Sequence, residues 1–340
     1  MSKRIKFVIT DYIERDLKWE EEQCQRLGID FSFHQLRDAS ADILIAICEQ
    51  ADIVLTNMAK FTEEVMNGIT SVKVLLRHGI GYDNIDVPAA TKNGIVFANE
   101  ATASSEDVAE HAIMLILETY RKRKLQEKAL LHWIRTGQWS SQDIYPLFRM
   151  KGKTLGIIGC GNIGSRLLNR MRCFGMNMLV CDPYLSEERY RELEIRHTPF
   201  ETVLRQSDII TIHVPVTDET RGMFKLAEFN QMKPEAVIIN TSRGPIIHTE
   251  DLVRALREKR IMGAGLDVYE DEPPGEDSEL LKMDNVMLTP HVAWYSEEGG
   301  WDIRYMIMDD VKAFIEGRPP QFVINHKVFE CANVRFRRRE

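Results

Sequence analysis

The chain has 340 residues, 44% hydrophobic and 28% charged; at roughly 150 residues per domain it makes about two packed domains and no fibrous or disordered polymer. Its 44 Lys and Arg against 52 Asp and Glu leave a net charge of −8, which gives no overall positive field to hold nucleic acid or an anionic membrane. No apolar stretch approaches the ~18 residues a membrane helix needs, and the opening Lys3 to Ile9 lacks a signal-peptide core, so a cytoplasmic protein is expected.

In chain order, short β-branched runs at Ile5 to Thr10, Asp52 to Thr56, Val72 to Leu76 and Ile95 to Ala98 predict strands. Helix-period stretches at Glu14 to Leu27, Ala41 to Glu49 and Thr62 to Asn67 lie between them. A long helical stretch follows, Asp107 to Tyr120 and Leu125 to Thr136. A second strand series then runs Thr154 to Gly159, Met178 to Cys181, Asp208 to His213, Val237 to Asn240, Gly263 to Val268 and Val286 to Thr289, before a closing helix over Ser296 to Gly317. Such alternation implies parallel strands joined by right-handed crossovers, hence two doubly wound α/β units. The six cysteines form no C-x-x-C pair and read as reduced, mostly buried thiols. The basic run Arg335 to Arg339 reads as a solvated tail.

After the strand ending at Gly159 comes Gly159-Cys160-Gly161-Asn162-Ile163-Gly164, followed by a helical run from Ser165 to Cys173. This is a G-x-G-x-x-G fingerprint in the strand-turn-helix context it requires. The first glycine makes the turn, the second lets the backbone approach a pyrophosphate, and the third lets helix and strand pack closely. Asp182, 18 residues beyond Gly164, is placed to bind the adenine-ribose hydroxyls and to repel a 2′-phosphate, which favours NAD over NADP. An Asp before Pro183 also starts turns unaided. His213, at a strand end beside Val214 and Pro215, is expected near the cofactor.

Three strand ends carry further chemistry: Asn240-Thr241-Ser242-Arg243-Gly244, Asp271-Glu272-Pro273 and Thr289-Pro290-His291. Carboxyl ends of parallel strands gather on one sheet edge, so these segments converge despite their separation. Arg243 suits a substrate carboxylate and a carbonyl oxygen, His291 suits exchange of a hydroxyl proton, and Glu272 suits orienting that imidazole. Taken singly, each has a plainer reading as a surface ion pair, a turn acid or a helix-start residue. His78, His111, His132, His197 and His248 lack metal-ligand spacing, and no metal is expected.

These residues, with Gly79 to Asp86 and Gly265-Leu266-Asp267-Val268, resemble the D-isomer-specific 2-hydroxyacid dehydrogenases over nearly the whole length. The resemblance implies an NAD-dependent oxidoreductase acting on a small D-2-hydroxy acid or 2-keto acid. Its Rossmann NAD domain would span 103–292, and a flavodoxin-like substrate domain would combine 1–102 with 293–340. It further implies Arg243, Glu272 and His291 as the catalytic set, and Asp267 on the nicotinamide carboxamide. Asn162, Ile163, Val214, Pro215, Thr241 and Ser242 would line the cofactor, and the Arg77 to Gly81 loop, with Ile80 and Gly81, would meet the substrate carboxylate. The helical Asp107 to Thr136 stretch implies a homodimer arm. The segment His291 to Ser296 resembles the branch containing the C-terminal-binding protein corepressors, where a Trp beside the histidine meets substrate. Trp294 is therefore either a substrate wall or an anchor for the closing helix, and an NAD(H)-sensing corepressor is the alternative function. A formate dehydrogenase would want an amide at Glu272.

Overall fold

The computed structural model describes residues 4–336, which form two compact units, 4–104 with 296–336, and Ser105–Tyr295. In the first, strands β1 (Lys6–Ile9), β2 (Asp30–Phe33), β3 (Ile53–Thr56), β4 (Val74–Arg77) and β5 (Val96–Asn99) form one sheet in the order β2-β1-β3-β4-β5. Every pairing is parallel, and the order is the flavodoxin-like one. Val8, Val54, Leu75 and Phe97 share one core with Leu44, Val65 and Ile69 from the crossover helices. β2 has no counterpart among the predicted strands, because Asp30-Phe31-Ser32-Phe33 lies at the sheet margin and alternates too weakly to show a buried face. The helix predicted from Glu14 begins only at Lys18.

Two carboxylates explain what Asp11 and Glu14 do instead. Asp11, 3% exposed, accepts hydrogen bonds from the hydroxyls of Thr10 and Thr56 and from the amides of Asn57, Met58 and Ala59, at 2.6 to 3.2 Å. The turn leaving β3 is thereby tied to β1. Glu14 Oε1 lies 2.6 Å from Nε2 of His78, which joins the β1 exit to the β4 exit across 64 residues of sequence. The basic tail departs from expectation: Arg335 Nη1 donates to the carbonyls of Ile69 and Val72, and Phe336 is buried against Phe314 and Phe329. The two carbonyl bonds replace hydrogen bonds that the guanidinium would otherwise make to water. Arg337 to Arg339 lie outside the described residues.

The second unit holds β6 (Thr154–Ile158), β7 (Asn177–Cys181), β8 (Ile209–Ile212), β9 (Val237–Asn240), β10 (Gly263–Leu266) and β11 (Val286–Leu288), ordered β11-β10-β9-β8-β6-β7. All are parallel, and a parallel bridge from Val180 to His197 extends the sheet beyond β7. Strand order reverses between β6 and β8, so their carboxyl ends open the crevice where such sheets bind dinucleotides. The helix Ser105–Tyr120 buries Val108, Ala112, Leu115, Ile116 and Thr119 at helical spacing. It lies directly on β10, where a Cβ added at Gly265 would come within 2.8 Å of Thr119 Oγ1 and 3.2 Å of Leu115 Cβ. No helix among the described residues is long and apolar enough to cross a membrane. All six cysteines are free, with Cys24, Cys48, Cys160 and Cys181 buried and Cys173 exposed.

The Glu14 pair has a pH signature. Burial alone would raise the Glu14 carboxyl, but the hydrogen bond and charge of His78 outweigh it and hold the group near 2, against an ordinary 4.5. A depressed carboxyl stabilises the fold fully above its unfolded value, and the contribution disappears as pH falls from about 4.5 towards 2. Glu14→Gln should therefore be less urea-resistant than wild type at about pH 6, with the gap reduced to less than half by about pH 3. Parallel urea midpoints at both pH values would show that the pair does not act this way.

Candidate functional site

The glycine loop after β6 is shaped by close approaches. Gly159 has φ +86, and a Cβ there would lie 2.5 Å from the His213 carbonyl; one on Gly164 would lie 2.2 Å from the Gly159 carbonyl. Above Gly161, by contrast, an added Cβ meets nothing within 4 Å. The helix Asn162–Met171 starts there, and its N-cap Gly161 makes no side-chain cap, so the positive end of the helix faces the open side, as an anion site requires. Asn162 is exposed, and Ile163 packs on the core beneath. Asp182, one residue past β7, accepts from the Cys160 amide at 2.8 Å and from the Tyr184 amide at 3.1 Å. The acid and the glycine loop are thus one structure, open on one side, and a dinucleotide fits it.

His213, Val214 and Pro215 follow β8 beside that loop. Nε2 of His213 pairs with Thr211 Oγ1 at 2.9 Å, and burial drives the imidazole down to about 3. Burial thus favours the neutral ring of His213 over the charged one. Past β9, Asn240 ties its own turn together: its Oδ1 accepts from the Ser242 amide and its Nδ2 donates to the Arg243 carbonyl. Ser242 Oγ donates to the Ile212 carbonyl, Thr241 is buried, and Arg243 Nη1 donates to the Ser242 carbonyl at 2.7 Å.

His291 and Glu272 meet directly. Nδ1 of His291 lies 2.6 Å from Glu272 Oε2, while Glu272 Oε1 accepts from the Tyr269 amide at 3.1 Å. Burial would raise the Glu272 carboxyl, yet the hydrogen bond and charge of His291, the Tyr269 amide and the charge of Arg243 together hold it below its ordinary value. With Nδ1 committed to a carboxylate, Nε2 is the nitrogen left for a substrate proton. His291 has φ +53, a left-handed backbone that costs a non-glycine residue about 1–2 kcal/mol. Strain of that kind needs support, and Asp267 supplies it.

The Asp267 side chain is 0% exposed and accepts from Thr289 Oγ1 at 2.6 Å, the Val292 amide at 3.0 Å and the Ala293 amide at 2.9 Å. Its carbonyl accepts from the His291 amide. Both carboxylate oxygens thus accept bonds within the chain, and they hold the His291 turn. Two residues absent from the predicted set also brace this turn. Tyr269 donates its hydroxyl to the Thr289 carbonyl at 2.7 Å, and His111 Nε2 lies 2.9 Å from Thr289 Oγ1. Trp294 is half-buried, edge-to-face with Tyr295 at 5.3 Å. Among the described residues, no group of three or more His, Cys, Asp or Glu is placed to hold a metal.

Arg77, Ile80 and Gly81 stand on the first unit, at and beyond the end of β4. Arg77 Nη1 occupies the space a Cβ on Gly79 would need, and the Ile80 carbonyl accepts from Asn99 Nδ2 at 2.6 Å.

Residues 113–293 match the family described as D-isomer specific 2-hydroxyacid dehydrogenase, NAD binding domain. The chain is 35% identical to a D-3-phosphoglycerate dehydrogenase of Archaeoglobus fulgidus over 284 residues, 84% of this chain and 53% of that one. A glyoxylate reductase of Thermococcus litoralis is 35% identical over 293 residues, 84% of this chain and 87% of its own. The chain belongs to the D-isomer specific 2-hydroxyacid dehydrogenase family. A D-lactate dehydrogenase of Aquifex aeolicus, solved with NAD and lactic acid, has the same fold at a TM-score of 0.81 and 29% identity, covering 92% of this chain and 96% of that one. Membership makes NAD the cofactor and oxidoreduction of a 2-hydroxy acid the class of chemistry. The chain spans about half the length of the phosphoglycerate dehydrogenase. These relatives are dehydrogenases and reductases, and the corepressor branch gains no support from them.

Asp182→Ala should narrow the preference for NAD over NADP, because it removes the hydroxyl acceptor and the charge that repels a 2′-phosphate. It also strips the Cys160 amide of its partner, so NAD should bind more weakly. Steady-state kcat/KM with each cofactor is the measurement; equal use of both by the wild type would contradict the role of Asp182.

Proposed function

We propose that the chain interconverts a small D-2-hydroxy acid and its 2-keto acid, with Arg243, Glu272 and His291 as the catalytic residues. The observation that carries this reading is the Glu272 to His291 contact at 2.6 Å, which leaves Nε2 of His291 as a proton-exchanging atom on the carboxyl edge of the NAD-binding sheet. NAD, when bound, supplies the site that accepts or gives the hydride. For oxidation, His291 Nε2 takes the hydroxyl proton, and Glu272 stabilises the cation that results. For reduction, the protonated ring returns that proton to the carbonyl oxygen. Arg243 carries a permanent charge suited to the substrate carboxylate and to polarising the carbonyl.

Gly159, Gly161, Asn162, Ile163 and Gly164 would face the pyrophosphate and Asp182 the ribose, with His213, Val214, Pro215, Thr241, Ser242, Arg243, Asp267 and His291 along the rest of the cofactor. Arg77, Ile80, Gly81 and Trp294 are the proposed substrate contacts. An uncharged substrate side chain is favoured over a phosphorylated one, since Arg77 is the one permanent charge in the loop Arg77-His78-Gly79-Ile80-Gly81 and a phosphate wants a cationic cluster. A second copy of the chain is the proposed partner. Leu130, Leu131, Ile134 and Trp139 are 46%, 47%, 70% and 82% exposed on or just beyond the helix Arg123–Thr136, and such apolar patches commonly mark interfaces. Six free thiols suit a reducing cytoplasm.

The test follows NADH absorbance with glyoxylate, pyruvate, a longer thioether keto acid and 3-phosphohydroxypyruvate. Turnover should be fastest with an unphosphorylated acid, and His291→Ala should lower kcat by roughly 10² to 10⁴ while NADH still binds. Near wild-type kcat in that variant would remove His291 from the mechanism, and a clear preference for the phosphorylated compound would overturn the substrate class.

A further inference from the structure

His111 lies on the helix Ser105–Tyr120, one turn before Leu115, and the place it reaches follows from the packing below it. Because β10 offers glycine at 263 and 265, the helix approaches the strand backbone, with Leu115 and Thr119 lying against Gly265. His111 is therefore carried to the carboxyl end of β10 and β11, where its Nε2 lies 2.9 Å from Thr289 Oγ1 and 3.5 Å from Asp267 Oδ1.

Counting hydrogens fixes the direction of these bonds. The Thr289 hydroxyl has one hydrogen, and its 2.6 Å contact with a carboxylate oxygen of Asp267 commits it there. Towards His111 the hydroxyl is then an acceptor, so Nε2 of His111 carries a hydrogen. Asp267 in turn accepts from the Val292 and Ala293 amides, and its carbonyl from the His291 amide. A continuous chain of hydrogen bonds thus runs from the helix, through Thr289 and Asp267, to the main chain on both sides of His291, whose left-handed φ of +53 depends on being held.

We propose that His111 is a positioning residue for His291. It touches neither Glu272 nor the ring of His291; it fixes Thr289 and the Asp267 carboxylate from which the turn hangs, and through the turn the alignment of the His291 imidazole with Glu272. The charged groups around this path are Asp267 beneath the turn, Glu272 on the ring, and Arg243, whose charge acts on Glu272. The inference rests on the reading of His291 as the proton-exchanging group. Its consequence is that His111 governs the protonation of His291 without contacting it.

The experiment compares wild type with His111→Phe, which keeps a planar ring and loses the donor, and with His111→Gln, which restores an N–H near the same place. The primary readout needs no substrate: the His291 ring is titrated by NMR in protein labelled with ¹⁵N-histidine, its signal assigned by its loss in His291→Asn. In His111→Phe, His291 should lose its proton at lower pH than in wild type, because its contact with Glu272 is loosened. Its kcat for keto-acid reduction should fall roughly tenfold to a hundredfold with NADH affinity unchanged, and His111→Gln should recover most of both. Should His111→Phe fail to fold, Thr289→Val cuts the same chain at its next link and should shift the titration the same way. A folded His111→Phe or Thr289→Val protein whose His291 titrates as in wild type would overturn the proposal, even if its melting temperature falls. A wild-type chain inert towards every 2-keto acid would refute the function proposed above and leave this titration readable.

Discussion

The carboxyl edge of the second unit around His291 depends on a carboxylate buried where water cannot reach it. Asp267 has no exposed side-chain surface, and an isolated carboxylate there would cost several kcal/mol. It is tolerated because the hydroxyl of Thr289 and the amides of Val292 and Ala293 all point at it. The same bonds bend the chain beyond β11 so that His291 stands on the sheet edge in a backbone conformation few residues with a Cβ adopt. The cost of the buried charge and the strain of the turn are offset by one set of hydrogen bonds, so neither feature would persist without the other.

The cofactor half follows from the direction of the strands. Since all six are parallel, each turn that leaves a carboxyl end falls on one edge, and the glycine loop after β6 shares that edge with the turns after β9 and β11. Asp182 locks the loop through the Cys160 amide, as Asp267 locks the His291 turn and Asp11 the turn after β3 in the first unit. Each of these aspartates lies just past a strand, where a short carboxylate reaches the amides of an adjoining turn and a longer side chain would overshoot. The fold thus uses one device three times to stiffen the edges on which its chemistry is proposed to depend.

How much of this the sequence disclosed depended on range. β-branched runs marked ten of the eleven strands, because a strand buried on both faces needs continuous apolar residues. β2 escaped notice because a marginal strand with Asp30 and Ser32 has no such need. The glycine fingerprint was legible because its three glycines answer to contacts within a few residues. Arg243, Glu272 and His291 were legible as chemistry, and their convergence followed from strand direction. Hidden were the pairs whose members are far apart: Glu14 with His78, His111 with Thr289, and Arg335 with the carbonyls of Ile69 and Val72. His111 lacks metal-ligand spacing, and nothing local in the sequence shows that a histidine on the packed side of this helix finds a hydrogen-bond partner in Thr289. Charged residues such as Asp11 and Arg335 read as solvated until the fold supplies partners, and no local pattern names those partners.

On the proposed reading, this chain moves a hydride between NAD and C2 of a 2-keto acid, with His291 handling the proton. The most direct measurement incubates the protein with pyruvate and NADH deuterated at the transferable position of C4, then determines the isotope content and configuration of the product. The account predicts D-lactate carrying one deuterium at C2, with the hydroxyl hydrogen drawn from solvent. L-lactate, or D-lactate without deuterium at C2, would contradict it.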